Sequence, residues 1–197
     1  MKATFLIIMF SLMILSCENE TSKEGDQFFR NGDYEEAIKY YDQYLRVKPD
    51  HIKSIYNRGR AYEELDLIEL ARNDFEQVLE LDPKNVQAHL SLGGYFYNKQ
   101  DFTSASDYYE RAIKNNKDNF QSHFLKARSD HKMGLKDQAM KGYDTAIKLN
   151  PEYGEAYLYR GALKNFLKQH KSACADFSKA KELKVDKAEV TYNKFCQ

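Results

Sequence analysis

Residues 59–83 read GRAYEELDLIELARNDFEQVLELDP, and two helical periodicities run through them. Gly59 and Tyr62 lie three apart on one face, while Ala71, Phe75, Val78 and Leu79 follow the i, i+4, i+7, i+8 spacing of a second. Small residues where two helices cross let the backbones approach closely, and the aromatic side chain fills the flanking space. Leucine at position 71 would overpack that crossing, at about 1–3 kcal/mol. Pro83 stands just past the second helix, where proline cannot continue it.

The same order recurs on both sides. Alanine returns at Ala37, Ala71, Ala105, Ala139 and Ala173, each 34 residues after the last. Twelve residues before them lie Gly25, Gly59, Gly93, Ala127 and Gly161, and four residues after them lie Tyr41, Phe75, Tyr109, Tyr143 and Phe177. Turn signals separate the helices at Asn31-Gly32-Asp33 and Met133-Gly134, and Pro49, Pro83 and Pro151 close three of the periods.

This pattern resembles the tetratricopeptide repeat, a 34-residue helix–turn–helix. The resemblance covers residues 18–187 as five repeats: 18–51, 52–85, 86–119, 120–153 and 154–187. It implies an all-α chain, an α-solenoid in which each hairpin buries its apolar face against a neighbour. Residues 188–197 then form a short C-terminal capping helix. The pattern departs at Glu24, where leucine is common, and at Lys117 and Val185, where proline would close a repeat. Asp130 and Lys164 take the first-helix position that Phe28, Tyr62 and Phe96 fill elsewhere, so the last two first helices should pack differently.

Ahead of the repeats, Met1 to Cys17 reads MKATFLIIMFSLMILSC. Lys2 supplies a positive flank, and Ala3 to Leu15 is a 13-residue apolar run broken only by Thr4 and Ser11. That length suits a secretory signal and is short of the roughly 20 residues of a spanning helix. Ile14-Leu15-Ser16-Cys17 resembles a bacterial lipobox, which implies acylation of Cys17 and a tether to the membrane; two or more acyl chains hold firmly where one binds marginally. Glu18 follows the cysteine where the inner-membrane retention signal would carry Asp. By that analogy the expected address is the cell envelope at the outer membrane, on a side the sequence leaves open.

Thirty Lys+Arg balance thirty Asp+Glu, which argues against a generally basic nucleic-acid binder. The balance hides an asymmetry. Residues 18–85 carry 10 Lys/Arg and 17 Asp/Glu, net −7, and residues 86–197 carry 19 and 13, net +6. No phosphate loop, H-E-x-x-H, paired C-x-x-C or G-x-S-x-G elbow occurs, so neither a catalytic residue nor a cofactor is expected. His89 and His123 are 34 residues apart. On helices about 8–10 Å apart they suit packing better than shared zinc ligation; no metal is expected. His51, His131 and His170 fall near turns or helix ends and should be solvated. Cys174 and Cys196 suit either a disulfide across the capping helix or two half-buried thiols.

In this repeat family the first helices line a concave groove. The resemblance places Tyr56, Asn57, Arg60, Leu90, Tyr97, Phe124, Leu125, Arg128, Leu158, Tyr159 and Asn165 there, although several, Phe124 and Leu158 above all, also suit filling the space between repeats. Arg60 and Arg128 suit pairing either with a carboxylate of a peptide or with local acids such as Glu63 and Glu64. Aromatic side chains and arginine are the residue types of interface hot spots. One version of the fold carries a two-lysine, two-asparagine clamp, but its positions hold Ser22 and Asp26, or one repeat on Tyr56 and Arg60, with Ser91 and Leu125 following. The expected function is a lipid-anchored, non-enzymatic adaptor for a protein or peptide. The alternative is a self-associating scaffold subunit of an envelope complex; the oligomeric state is left open.

Overall fold

The computed structural model describes residues 22–196; Cys17 and the apolar run before it lie outside them. Eleven helices occur among the described residues, and no strands. They are α1 (residues 22–31), α2 (Tyr34–Val47), α3 (Ile52–Glu64), α4 (Ile68–Leu81), α5 (Val86–Asn98) and α6 (Phe102–Asn115). Then follow α7 (Phe120–Lys132), α8 (Lys136–Leu149), α9 (Gly154–Phe166), α10 (His170–Glu182) and α11 (Ala188–Cys196). None is long and apolar enough to cross a membrane.

Local chemistry sets the turn within each hairpin and the start of three of them. The turn from first to second helix passes through one left-handed residue every 34 positions, at Gly32, Asp66, Gln100, Gly134 and Lys168. Only two of the five are glycine, although a side chain in that conformation costs roughly 1–2 kcal/mol. Three first helices are capped by the residue before them. The His51 ring, Asn85 Oδ1 and Asn119 Oδ1 accept from the backbone N–H of Ser54, Ala88 and Ser122 respectively, each worth about 1 kcal/mol.

The small-and-aromatic crossing is the core of every hairpin. Ala37, Ala71, Ala105, Ala139 and Ala173 are buried, and Tyr41, Phe75, Tyr109, Tyr143 and Phe177 are at most 1% exposed. A Cβ added at Gly93 would lie 2.4 Å from Tyr109 Cε1, and one at Gly161 would lie 2.7 Å from Phe177 Cε1. The fourth hairpin moves the small residue to the other helix: Ala127 replaces glycine, and Gly142 faces it, where a Cβ would sit 2.7 Å from the Ala127 Cβ. Neighbouring glycines should therefore respond with opposite signs. Gly93→Ala is expected to destabilise by about 1–3 kcal/mol, because the buried Tyr109 ring has nowhere to go. Gly94→Ala, with open space at its Cβ position, should stabilise by roughly 1 kcal/mol. Urea denaturation of the two variants reads both signs; the same sign for both would refute this packing.

Beside the crossing, one contact is solved in three ways. Phe28 stacks on Tyr40 at 5.0 Å between ring centroids, and Phe96 on Tyr108 at 5.3 Å. In the second and fifth hairpins the place of Tyr40 and Tyr108 is taken by Asp74 and Asp176. Arg58 grips Asp74 through Nε and Nη2 at 2.9 and 2.6 Å and reaches Asp42 at 2.7 Å. Arg160 repeats this on Asp176 at 2.9 and 2.6 Å and on Asp144 at 2.7 Å. Lys164 adds a 2.8 Å ion pair to Asp176. In the fourth hairpin Asp130 accepts from Ser106 at 3.0 Å and pairs with Lys126 at 3.0 Å. Asp130 and Lys164, which depart from the aromatic pattern, are thus accommodated by charge pairing.

The chain divides into two compact units, Met1–Ala88 and His89–Gln197. The core of the first gathers Ala37, Tyr41, Leu45, Ile55, Val78 and Ala88, with Phe28, Tyr56 and Leu79 packed on it. That of the second gathers Phe124, Ala127, Ala139, Tyr143, Ala146, Ala156 and Leu163, with Leu125, Tyr153 and Tyr159 packed on it. At its end α11 lies on α10, with Cys174 and Cys196 joined in a disulfide and the Phe177 and Phe195 rings 6.1 Å apart.

The histidines divide by environment. His89 is buried, and His123 Nε2 lies 2.9 Å from the Lys117 carbonyl oxygen. Only His170 of the three expected in solvent is exposed. His51 is half-buried as a cap, and His131 is half-buried with Nδ1 3.3 Å from the Tyr143 hydroxyl. The turns near them are covered by packed aromatic rings, which the local sequence does not reveal.

Candidate functional site

The residues placed in the groove by sequence fare differently in the two units. In the first, each polar candidate already has a partner. Asn57 Nδ2 donates to Asp26 Oδ1 at 2.8 Å, and the same carboxylate takes the Tyr41 hydroxyl and Lys53. Burial works against ionisation of Asp26, yet these donors hold its carboxyl below its usual range. Arg60 is neutralised on its own helix by Glu63 at 2.7 Å and Glu64 at 3.6 Å. Tyr56 leans on the core ring of Phe75, 5.4 Å between centroids.

In the second unit, four candidates converge. The first helices α5, α7 and α9 carry Tyr97, Arg128 and Tyr159 at successive repeats. The Arg128 guanidinium lies 4.7 Å from the Tyr97 ring centroid and 4.9 Å from that of Tyr159. Phe124, one turn earlier on α7, is 5.7 Å from the same guanidinium. Phe124 is not a projecting groove residue, however. It is 3% exposed and packs against Tyr143, Tyr153 and Tyr159, forming the floor beneath the cation. Leu90, Leu125 and Leu158 are half-buried, with Leu125 packed on the core. Asn165 sits apart from the cluster, bonded through Oδ1 to His170 at 2.9 Å.

The electrostatics of Arg128 are unusual for this molecule. Nη2 donates to the Tyr97 hydroxyl at 3.4 Å, and Nε, like that of Arg60, is buried without a well-directed hydrogen-bond acceptor. Among the described residues, the other half-buried arginines, Arg58, Arg60, Arg72 and Arg160, all pair with carboxylates. Arg30, Arg46 and Arg111 are exposed. Arg128 has two ring faces and a floor but no carboxylate within ion-pair distance among those residues. Burial raises the Tyr109 and Tyr143 phenols above their ordinary range, with Arg128 acting in the opposite direction. Tyr153 is pushed up to about 12 by burial and, secondarily, by Glu155. These phenols therefore stay neutral and do not compensate the cation.

The sequence contained Tyr97, Arg128 and Tyr159 as separate groove positions. Their step of roughly one helical turn per repeat, at positions 97, 128 and 159, was the available signal that they meet. Tyr153 was missed; it precedes the helix α9 and reaches Phe124 only through the fold, at 4.9 Å.

Comparison with known proteins sharpens the assignment. Family models for the tetratricopeptide repeat match residues 27–90, 86–119 and 120–153. The chain belongs to the tetratricopeptide-repeat family. Tetratricopeptide repeat protein 6 of Homo sapiens is 26% identical over 193 residues, covering 80% of this chain and 37% of its own length. This tetratricopeptide-repeat chain thus spans well under half of that relative. The crystal structure of MamA is similar at a TM-score of 0.72 and 25% identity, covering 84% of this chain and 96% of MamA. YrrB, described as a TPR protein with an unusual peptide-binding site, matches at a TM-score of 0.70 and 18% identity, covering 88% of this chain and 90% of its own. At that identity the likeness concerns the fold.

Proposed function

We propose that this chain is a non-enzymatic adaptor that holds a protein or peptide on the face made by α5, α7 and α9, tethered at a bacterial cell envelope through lipid on Cys17. The carrying observation is Arg128, set against the Tyr97 and Tyr159 rings without a carboxylate partner among the described residues. Aromatic anchors around a desolvated arginine are what interface hot spots are made of. Peptide binding by YrrB, a protein of the same fold, agrees with this reading. The disulfide between Cys174 and Cys196 supports an address outside the reducing cytoplasm.

In-membrane crosslinking tests the adaptor role. Tyr97→Ala and Arg128→Ala are expected to weaken partner capture by roughly 30-fold, the loss of a 2 kcal/mol hot spot, with helical circular dichroism unchanged. Tyr56→Ala and Arg60→Ala should leave capture near wild type. Full capture by the Tyr97 and Arg128 variants would overturn the site. For the tether, Cys17→Ser should abolish fatty-acid labelling and release the protein from the membrane fraction; continued labelling would overturn that part alone.

A further inference from the structure

Resting on the adaptor reading, we propose that Arg128 receives the side-chain carboxylate of a glutamate within the bound segment, so that the second unit selects an acidic internal stretch. Three observations lead there. Among the described residues, Arg128 is the half-buried arginine lacking an anionic partner, while Arg58, Arg60, Arg72 and Arg160 each have one. A guanidinium presents a planar fork that a carboxylate matches with two parallel hydrogen bonds. The second unit also carries 19 Lys/Arg against 13 Asp/Glu, a net charge of +6 that draws acidic segments towards it.

The walls decide which carboxylate. Ring centroids at 4.7 and 4.9 Å wall the guanidinium, so an incoming group has to pass aromatic surface to reach its N–H groups. Phe124 closes the floor, and Nη2 is turned onto the Tyr97 hydroxyl. A glutamate carboxylate stands on two methylenes, which can pass along the tyrosine rings and bury apolar surface on the way. A chain-terminal carboxylate is attached directly to the bulk of its own Cα and side chain, which a cation walled by three rings admits poorly. A chain end, with its own backbone groups, requires several converging donors, and among the described residues Arg128 is the cation set against both the Tyr97 and Tyr159 rings.

The test uses the full mature chain and three synthetic octapeptide pools of random flanks. One pool has a central glutamate and blocked ends, one a central glutamine and blocked ends, and one a central glutamine with a free C-terminal carboxylate. Titration is followed on the side-chain N–H resonance of Arg128, assigned by its loss in Arg128→Lys. The glutamate pool should shift that resonance and bind about tenfold more tightly than either glutamine pool, as expected for a charge-assisted hydrogen bond. Arg128→Gln should erase the difference between pools while leaving residual peptide binding. Equal binding by all three pools would overturn the glutamate assignment and leave the peptide site standing. Preference for the free carboxylate would replace it with capture of a chain end. A resonance unmoved by every pool would remove the site and this inference together.

Discussion

Asp176→Ala is expected to lower the stability of the second unit by about 3 kcal/mol, one of the largest losses from any single substitution in this chain. Asp176 is the shared acceptor of Arg160, through two hydrogen bonds, and of Lys164, at 2.8 Å. Its side chain is 6% exposed, and those of Arg160 and Lys164 are 16% and 18% exposed. Removing the carboxylate leaves two cations in a poorly hydrated contact, and among the described residues only Arg160 retains another anion, Asp144. Breaking a buried pair from one side costs about 3–5 kcal/mol, and the residual exposure of the cations places this case at the lower end. The third hairpin supplies a control, since its equivalent positions hold Leu92, Phe96 and Tyr108, with the last two stacked. The triple variant Arg160→Leu, Lys164→Phe, Asp176→Tyr should return to within about 1.5 kcal/mol of wild type, because it installs a complete apolar solution instead of half a polar one. Urea denaturation reads both. A negligible loss in Asp176→Ala, or a triple variant weaker than the single one, would show that the charge network is incidental to the packing.

Opening the Cys174–Cys196 disulfide should cost a similar amount, about 3 kcal/mol for the 22-residue span it closes. The helix it secures, α11, has only nine residues and cannot persist alone. Its other ties are modest: buried Ala188, the Phe177–Phe195 ring contact and an exposed pair between Lys181 and Glu189 at 3.0 Å. Val190 and Phe195 remain 70% and 44% exposed, so burial alone does not hold the helix down. The double variant Cys174→Ala, Cys196→Ala, or wild type in reductant, should show the drop in urea denaturation and faster tryptic cleavage after Lys187 and Lys194. Identical denaturation curves with and without reductant would refute the staple.

The helix–turn–helix order and the family were legible in the sequence because close helix crossings need small residues, and a repeated fold needs them at a repeated interval. Gly59, Ala71 and Phe75 sufficed to find the interval, and their equivalents are buried in each hairpin. The polar contacts were not legible. Arg58 and Arg160 meet acids 16 residues away on both sides, a separation shared by many unpaired residues of a chain that is 30% charged. The choice between disulfide and free thiols at Cys174 and Cys196 likewise depended on a distance, 5.5 Å between Cα atoms, that spacing along the chain does not contain.

The candidate site shows the same division. Tyr56, Arg60, Tyr97, Arg128 and Tyr159 were all recognisable as first-helix residues of an interface type. Local sequence determined their helix and their face, because periodicity acts through neighbours three and four residues apart. Whether Tyr97, Arg128 and Tyr159 met was decided only when separate helices came together. Helical spacing alone paired Arg60 with Glu63 and Glu64, whereas tertiary packing buried Phe124 and left Arg128 against the Tyr97 and Tyr159 rings with no anion among the described residues. Charge neutralisation acts over a few ångströms in space, and that distance is a property of the assembled helices.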